Sequence, residues 1–113
     1  MKNTLGLIGC ALALSLVLTL SHALLRAATP HTPMALPWII RVASALSLYG
    51  LVFLAYTLLL KYYDISVLYP LYTTLSIIGV SLVGIFYFGE SITVYKLTGM
   101  LLLFIGIGLI SVA

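Results

Sequence analysis

The sequence predicts an all-α membrane protein, a bundle of four transmembrane helices, on three observations. Only 6% of the 113 residues are Asp, Glu, Lys or Arg, where a soluble domain carries about 25%. Apolar residues make up 64%, and the mean hydropathy is +1.30. The few charges stand at the ends of four apolar runs, residues 4–25, 37–60, 66–88 and 92–112. Each run reaches the ~20 residues that cross ~30 Å of hydrocarbon at ~1.5 Å per residue. Backbone polar groups in lipid must bond within their own segment, which favours helices. The strict alternation of a membrane β-strand is absent.

The first run follows Lys2 and could be taken for a secretory signal, but it outlasts the ~7–15 apolar residues of a signal core. It is expected to stay as a transmembrane helix. Cys10, the one cysteine, has no partner for a disulfide and no metal-site spacing, and reads as a small apolar helix residue. In the connection that follows, Pro30, Pro33 and Pro37 exclude helix. Trp38 then opens the second run at the depth where aromatic rings favour the interface. The connection Lys61-Tyr62-Tyr63-Asp64 is short and interfacial in the same way. Gly89-Glu90-Ser91 is a tight turn, with Glu90 or Ser91 expected to cap the fourth helix. Such short loops make neighbouring helices antiparallel. The whole chain, 1–113, reads as one domain.

Lys2 and Lys61 fall on one side of the membrane, and Arg26, Arg41 and Lys96 on the other. Two against three is a weak orientation bias. It admits either a single orientation or two copies paired in opposite orientations. The net charge of +3 includes no basic run and points to no nucleic acid. Gly99 and Gly106, seven apart, share one face of the fourth helix, where small residues let helices approach. That face is a candidate dimer seam.

Ser15, Thr19, His22 and Arg26 follow steps of four, three and four and form one stripe on an otherwise apolar helix. A polar stripe in lipid faces protein or water. It is either the wall of a path or a packing stripe whose hydroxyls bond back to helix carbonyls. Arg41 lies on the same membrane side, and His22, Arg26 and Arg41 are expected to converge just inside one leaflet. Two guanidiniums there suit a phosphate, since their forks match its oxygens. The alternative for Arg41 is snorkelling to lipid phosphate. On the third helix Tyr69, Tyr72, Thr73 and Ser76 share a face, with Pro70 expected in the first turn. Two Tyr rings there suit an amphipathic substrate. The only carboxylates, Asp64 and Glu90, are far apart, and no nucleophile–base pattern, phosphate loop or ligand cluster occurs. No enzyme activity, cofactor or metal is expected, and His31 reads as solvated.

Four helices in a chain this short, with Tyr69-Pro70-Leu71-Tyr72, Gly89-Glu90 and Gly99 followed by Gly106, resemble the small multidrug resistance family of the drug/metabolite transporter (EamA-like) superfamily. The resemblance runs from residue 53 to 111. It implies an antiparallel homodimer, or a heterodimer of two similar small subunits, with Gly99 and Gly106 at the seam. It also implies that Tyr69 is a substrate-site tyrosine and that Tyr72 stands where many members have tryptophan. One departure matters. Family exporters of drugs and guanidinium carry a glutamate in the first helix, and Leu18 occupies that position here. Without it a cation would enter hydrocarbon uncompensated, at several kcal/mol. Lipid-carrier flippase subunits resembling the family also lack that glutamate. The resemblance therefore implies a multi-pass transporter of a bacterial inner membrane that moves an anionic, polyprenyl-phosphate-linked lipid by alternating access. Its partners would be membrane lipid and a lipid-linked or amphipathic substrate. An exporter of small cations or drugs, relying on Glu90, is one alternative. A non-transporting subunit of a larger membrane complex is the other. The flippase expectation rests on an interior groove roofed by nitrogen-bearing side chains and free of acid.

Overall fold

The computed structural model describes residues 4–112, so the expected anchor Lys2 lies outside the described residues. Four helices follow in order: α1 Thr4–Ala28, α2 Leu36–Leu59, α3 Ile65–Phe86 and α4 Val94–Ser111. All four are long and apolar enough to cross a membrane, and the protein is a small multi-pass integral membrane protein. No strand occurs among the described residues.

The helix ends follow local chemistry. α1 runs past residue 25 to Ala28 because nothing stops it before Pro30, whose ring disfavours helix at Thr29. Arg26 thus sits in its last turn. Pro37 lies in the first turn of α2, where its missing N–H is not needed. Pro70, by contrast, is the sixth residue of α3 and not in its first turn; it withholds the helical bond that the Ser66 carbonyl would accept. α3 ends at Phe86, two residues short of the expected 88. Its last turn loosens: the Phe88 N–H donates to the Val83 carbonyl (3.2 Å) and the Glu90 N–H to the Gly84 carbonyl (2.9 Å). Gly89, at φ 70°, supplies the left-handed residue that this reversal requires. The cap of α4 is Thr93, not Glu90 or Ser91: its hydroxyl accepts from the Lys96 N–H at 3.1 Å.

α1 packs between α2 and α3, and α4 packs chiefly on α3. The Cα envelope measures 50 × 36 × 17 Å, a flat slab about two helices deep at ~8–10 Å between axes. The buried core takes Leu7, Ala11, Leu14 and Leu18 from α1, Leu68, Leu71 and Tyr72 from α3, Val52 from α2 and Ile107 from α4. The α1 members recur at steps of four, three and four, one helix face. Ile107 is the only buried residue among the described part of α4. Its outer Leu, Ile and Phe side chains suit acyl chains as well as protein.

Candidate functional site

Small residues open the seam between α1 and α3 at the end that carries the first and third connections. At Gly79 the helices meet closely: a Cβ there would come within 2.5 Å of the Thr19 hydroxyl. Beyond that point Ala23, Val83 and Gly84 replace bulk, and a cleft of about 90 Å³ appears, carrying His22, Arg26, Phe88 and Glu90. Next to it lies an apolar groove of about 370 Å³ between Leu20, Leu24 and Ala27 of α1 and Tyr87 beyond α3. Ala23, Val83 and Phe88 line both, so one wall has a polar side and an apolar side.

Arg26 organises the polar side. Its Nε lies 3.5 Å from Glu90 Oε2, and both side chains are about half exposed. Its Nη1 donates to the Thr29 hydroxyl at 3.0 Å, and that hydroxyl donates to the Arg26 carbonyl at 2.8 Å. The guanidinium carbon stands 5.2 Å from the centroid of the Phe88 ring, a cation–π distance. The Glu90 carboxylate rests against Gly84, in space that a Cβ on Gly84 would take. His22 is half-buried; its Nε2 is 2.6 Å from the Tyr49 hydroxyl of α2, with the two rings edge to face at 5.4 Å.

The structure brings only part of the sequence-derived site together. His22 and Arg26 share the cleft, with Thr19 at its closed edge against Gly79. Arg41 does not line it; its Nη1 donates to the Pro37 carbonyl at 3.1 Å, so the expected pair of guanidiniums does not form. Ser15 and Ser76 are buried and donate to carbonyls of their own helices, Leu12 at 2.8 Å and Tyr72 at 2.7 Å, the back-bonding of packed helix hydroxyls. Tyr69 and Tyr72 lie toward the opposite membrane side, in a cluster with Tyr56 whose ring centroids are 5.2–6.0 Å apart. On α4, a Cβ at Gly99 or Gly106 would meet nothing within 4 Å, so both lie on an uncovered face. The acid-free groove is corrected as well: Glu90 lines the cleft beside Arg26.

Four contributors escape a reading of the sequence. Tyr49 could have been found as one of two tyrosines, with Tyr56, inside the second apolar stretch. Ser21, fully buried, donates to the Ala45 carbonyl of α2 at 2.8 Å; its signal was a hydroxyl lying off the α1 stripe. Phe88 and Gly84 carry no signal, since a Phe and a Gly are ordinary in a membrane helix. Among the described residues no three His, Cys, Asp or Glu are grouped to hold a metal. Fold and site together define an integral membrane protein whose first and third helices enclose a two-sided, amphipathic seam. No family model, curated protein or solved structure matches the chain.

Proposed function

We propose that the protein is a small membrane transporter of the small multidrug resistance type, working as a flippase for an anionic, lipid-linked substrate in a bacterial inner membrane. The observation that carries this reading is the shared wall of Ala23, Val83 and Phe88, with a charged cleft on one side and an apolar groove on the other. An amphipathic lipid matches that arrangement. A phosphate headgroup takes the Arg26 guanidinium, whose fork offers parallel donors, with His22 beside it. The first carbons of the tail follow Leu20, Leu24 and Tyr87, and the rest stays in the bilayer. The site opens toward one membrane side only, so crossing requires the bundle to rock against a partner. A second copy, or a similar small subunit, docked on the Gly99–Gly106 face of α4 supplies that partner. Arg41 then serves as an outer contact for lipid phosphate.

The test is translocation of a fluorescent lipid with a phosphate headgroup, measured in liposomes. Arg26→Ala is expected to slow it by about tenfold or more, the worth of one charge-assisted hydrogen bond at roughly 1.5–3 kcal/mol. Arg41→Ala is expected to slow it less. Equal rates for wild type and Arg26→Ala remove the phosphate role.

One observation favours a second reading, export of small cations: the cleft contains a carboxylate, Glu90. That carboxylate is engaged with Arg26, and Leu18 sits in the buried apolar cluster where an exporter would need its acid. Growth in quaternary ammonium compounds separates the two. Resistance that depends on Glu90 favours the exporter.

A further inference from the structure

We infer that Glu90 is a displaceable internal counter-anion. It occupies the seat of the substrate's phosphate on Arg26 in the empty cleft, and its return helps to release that phosphate. The inference rests on the anion site proposed above and adds the residue that sets how tightly the site holds.

Three features make Glu90 a competitor and not a fixed strut. Its seat is built for it: the carboxylate fills the space left by Gly84, and its own N–H is tied to the Gly84 carbonyl at 2.9 Å. Its grip is weak: 3.5 Å between Arg26 Nε and Glu90 Oε2, with both partners half exposed, describes a pair worth little on its own. Its departure breaks no helix, because Glu90 lies between the end of α3 at Phe86 and the start of α4 at Val94. Arg26, meanwhile, keeps its place without Glu90, held by the Thr29 hydroxyl and the Phe88 ring. The guanidinium is thus ready for a phosphate as soon as the carboxylate swings out. Because the Glu90 backbone N–H stays tied to the Gly84 carbonyl, the displaced carboxylate remains close by, and its charge opposes the bound phosphate. That opposition lowers affinity and speeds departure, which a carrier needs as much as it needs binding.

Titration of the full-length protein in detergent with dodecyl phosphate tests this, alongside the transport assay. Removing the charge in Glu90→Gln is expected to tighten binding by about fivefold, the upper end for a half-exposed ion pair. The half-saturating concentration for transport falls with it, while the saturated rate does not rise. Gly84→Ala keeps the charge but puts a methyl in the carboxylate's seat, and is expected to tighten binding by about twofold. Should Gly84→Ala not fold, Glu90→Asp, which keeps the charge and shortens the reach, takes its place. If wild type binds dodecyl phosphate and Glu90→Gln binds it no more tightly, the inference falls. It falls equally if Glu90→Gln is tighter but the charge-keeping variants match wild type, since Glu90 would then act only as a distant field. If neither wild type nor Glu90→Gln binds dodecyl phosphate, the anion site itself is lost, and the competitor goes with it.

Discussion

The two ends of the seam between α1 and α3 are built from the same pair of helices and differ in side-chain size. Toward the second connection the helices contribute Leu14, Leu68, Leu71 and Tyr72, all buried, and Tyr56 of α2 packs its ring on Tyr72 at 5.2 Å. Toward the first and third connections they contribute Ala23, Val83 and Gly84, and a cleft appears. In lipid no hydrophobic force closes a gap between helices, because acyl chains are as apolar as leucine. Close packing alone holds them together. Where the side chains are large the seam seals; where they are small it opens, and the Arg26–Glu90 pair spans the opening.

The largest expected effect breaks the closed end. Leu68 is fully buried, and Leu68→Ala is expected to cost roughly 2 kcal/mol or more through the cavity it leaves. Thermal unfolding in detergent should show it as a drop of about 10 °C. Val83→Ala, at the open end, is expected to cost less than half as much. Equal losses at both positions would mean that the two ends are packed alike.

Next in size is the boundary between them. Gly79→Ala drives a methyl into Thr19, where the hydroxyl, Cγ2 and Cβ would lie at 2.5, 3.3 and 3.4 Å. Thr19 has only two favoured rotamers within a helix, and turning between them does not move its Cβ, which would stand 3.4 Å from the methyl. The helices must part, at about 1–2 kcal/mol. Thr19→Ala in the same chain is expected to restore most of that loss, which a double-mutant cycle of melting temperatures measures. Gly84→Ala lies five residues further along the same helix and meets only the far end of the flexible Glu90 side chain. It is expected to leave stability almost unchanged. The pair sharpens the contrast: one glycine admits a neighbouring helix, the other admits a mobile carboxylate.

The fold was legible because lipid imposes one rule on every backbone group, and four apolar runs of spanning length can obey it only as helices. The ends slipped by one to three residues where they depended on particular bonds. The loosened turn from Val83 to Glu90 is the clearest case. The stripe of Ser15, Thr19, His22 and Arg26 was legible as one face, since spacing alone defines it. Which members meet a cleft was not, because that depends on the residues of α3 opposite them: Leu71 and Tyr72 build a sealed end, while Val83 and Gly84 leave a gap. The separation of Tyr69 from Arg26 was available from topology. Tyr69 opens α3 on the side of the second connection, whereas Arg26 closes α1 on the other. Glu90 was legible as a turn residue, a candidate cap and an exporter's candidate carboxylate, but not as the partner of Arg26, because its reach to Arg26 depends on the bond from its N–H to Gly84.

The smallest expected loss concerns the bridge behind the cleft. His22 Nε2 and the Tyr49 hydroxyl, 2.6 Å apart, tie α1 to α2 at the level where α1 and α3 draw away from each other. Tyr49→Phe removes that oxygen and keeps the ring, so the edge-to-face contact at 5.4 Å survives. Hydrogen bonds between membrane helices are worth about 0.6 kcal/mol on average and about 1.7 at most. Ser21 also holds the same two helices through the Ala45 carbonyl, which places the expected loss near the lower figure. Melting in detergent should fall by only about 3 °C, less than for Gly79→Ala. A loss as large as that of Leu68→Ala would reverse the comparison. The open end would then stand open because His22 and Tyr49 hold α1 back toward α2, and the small residues of α3 would be the consequence of that gap and not its cause.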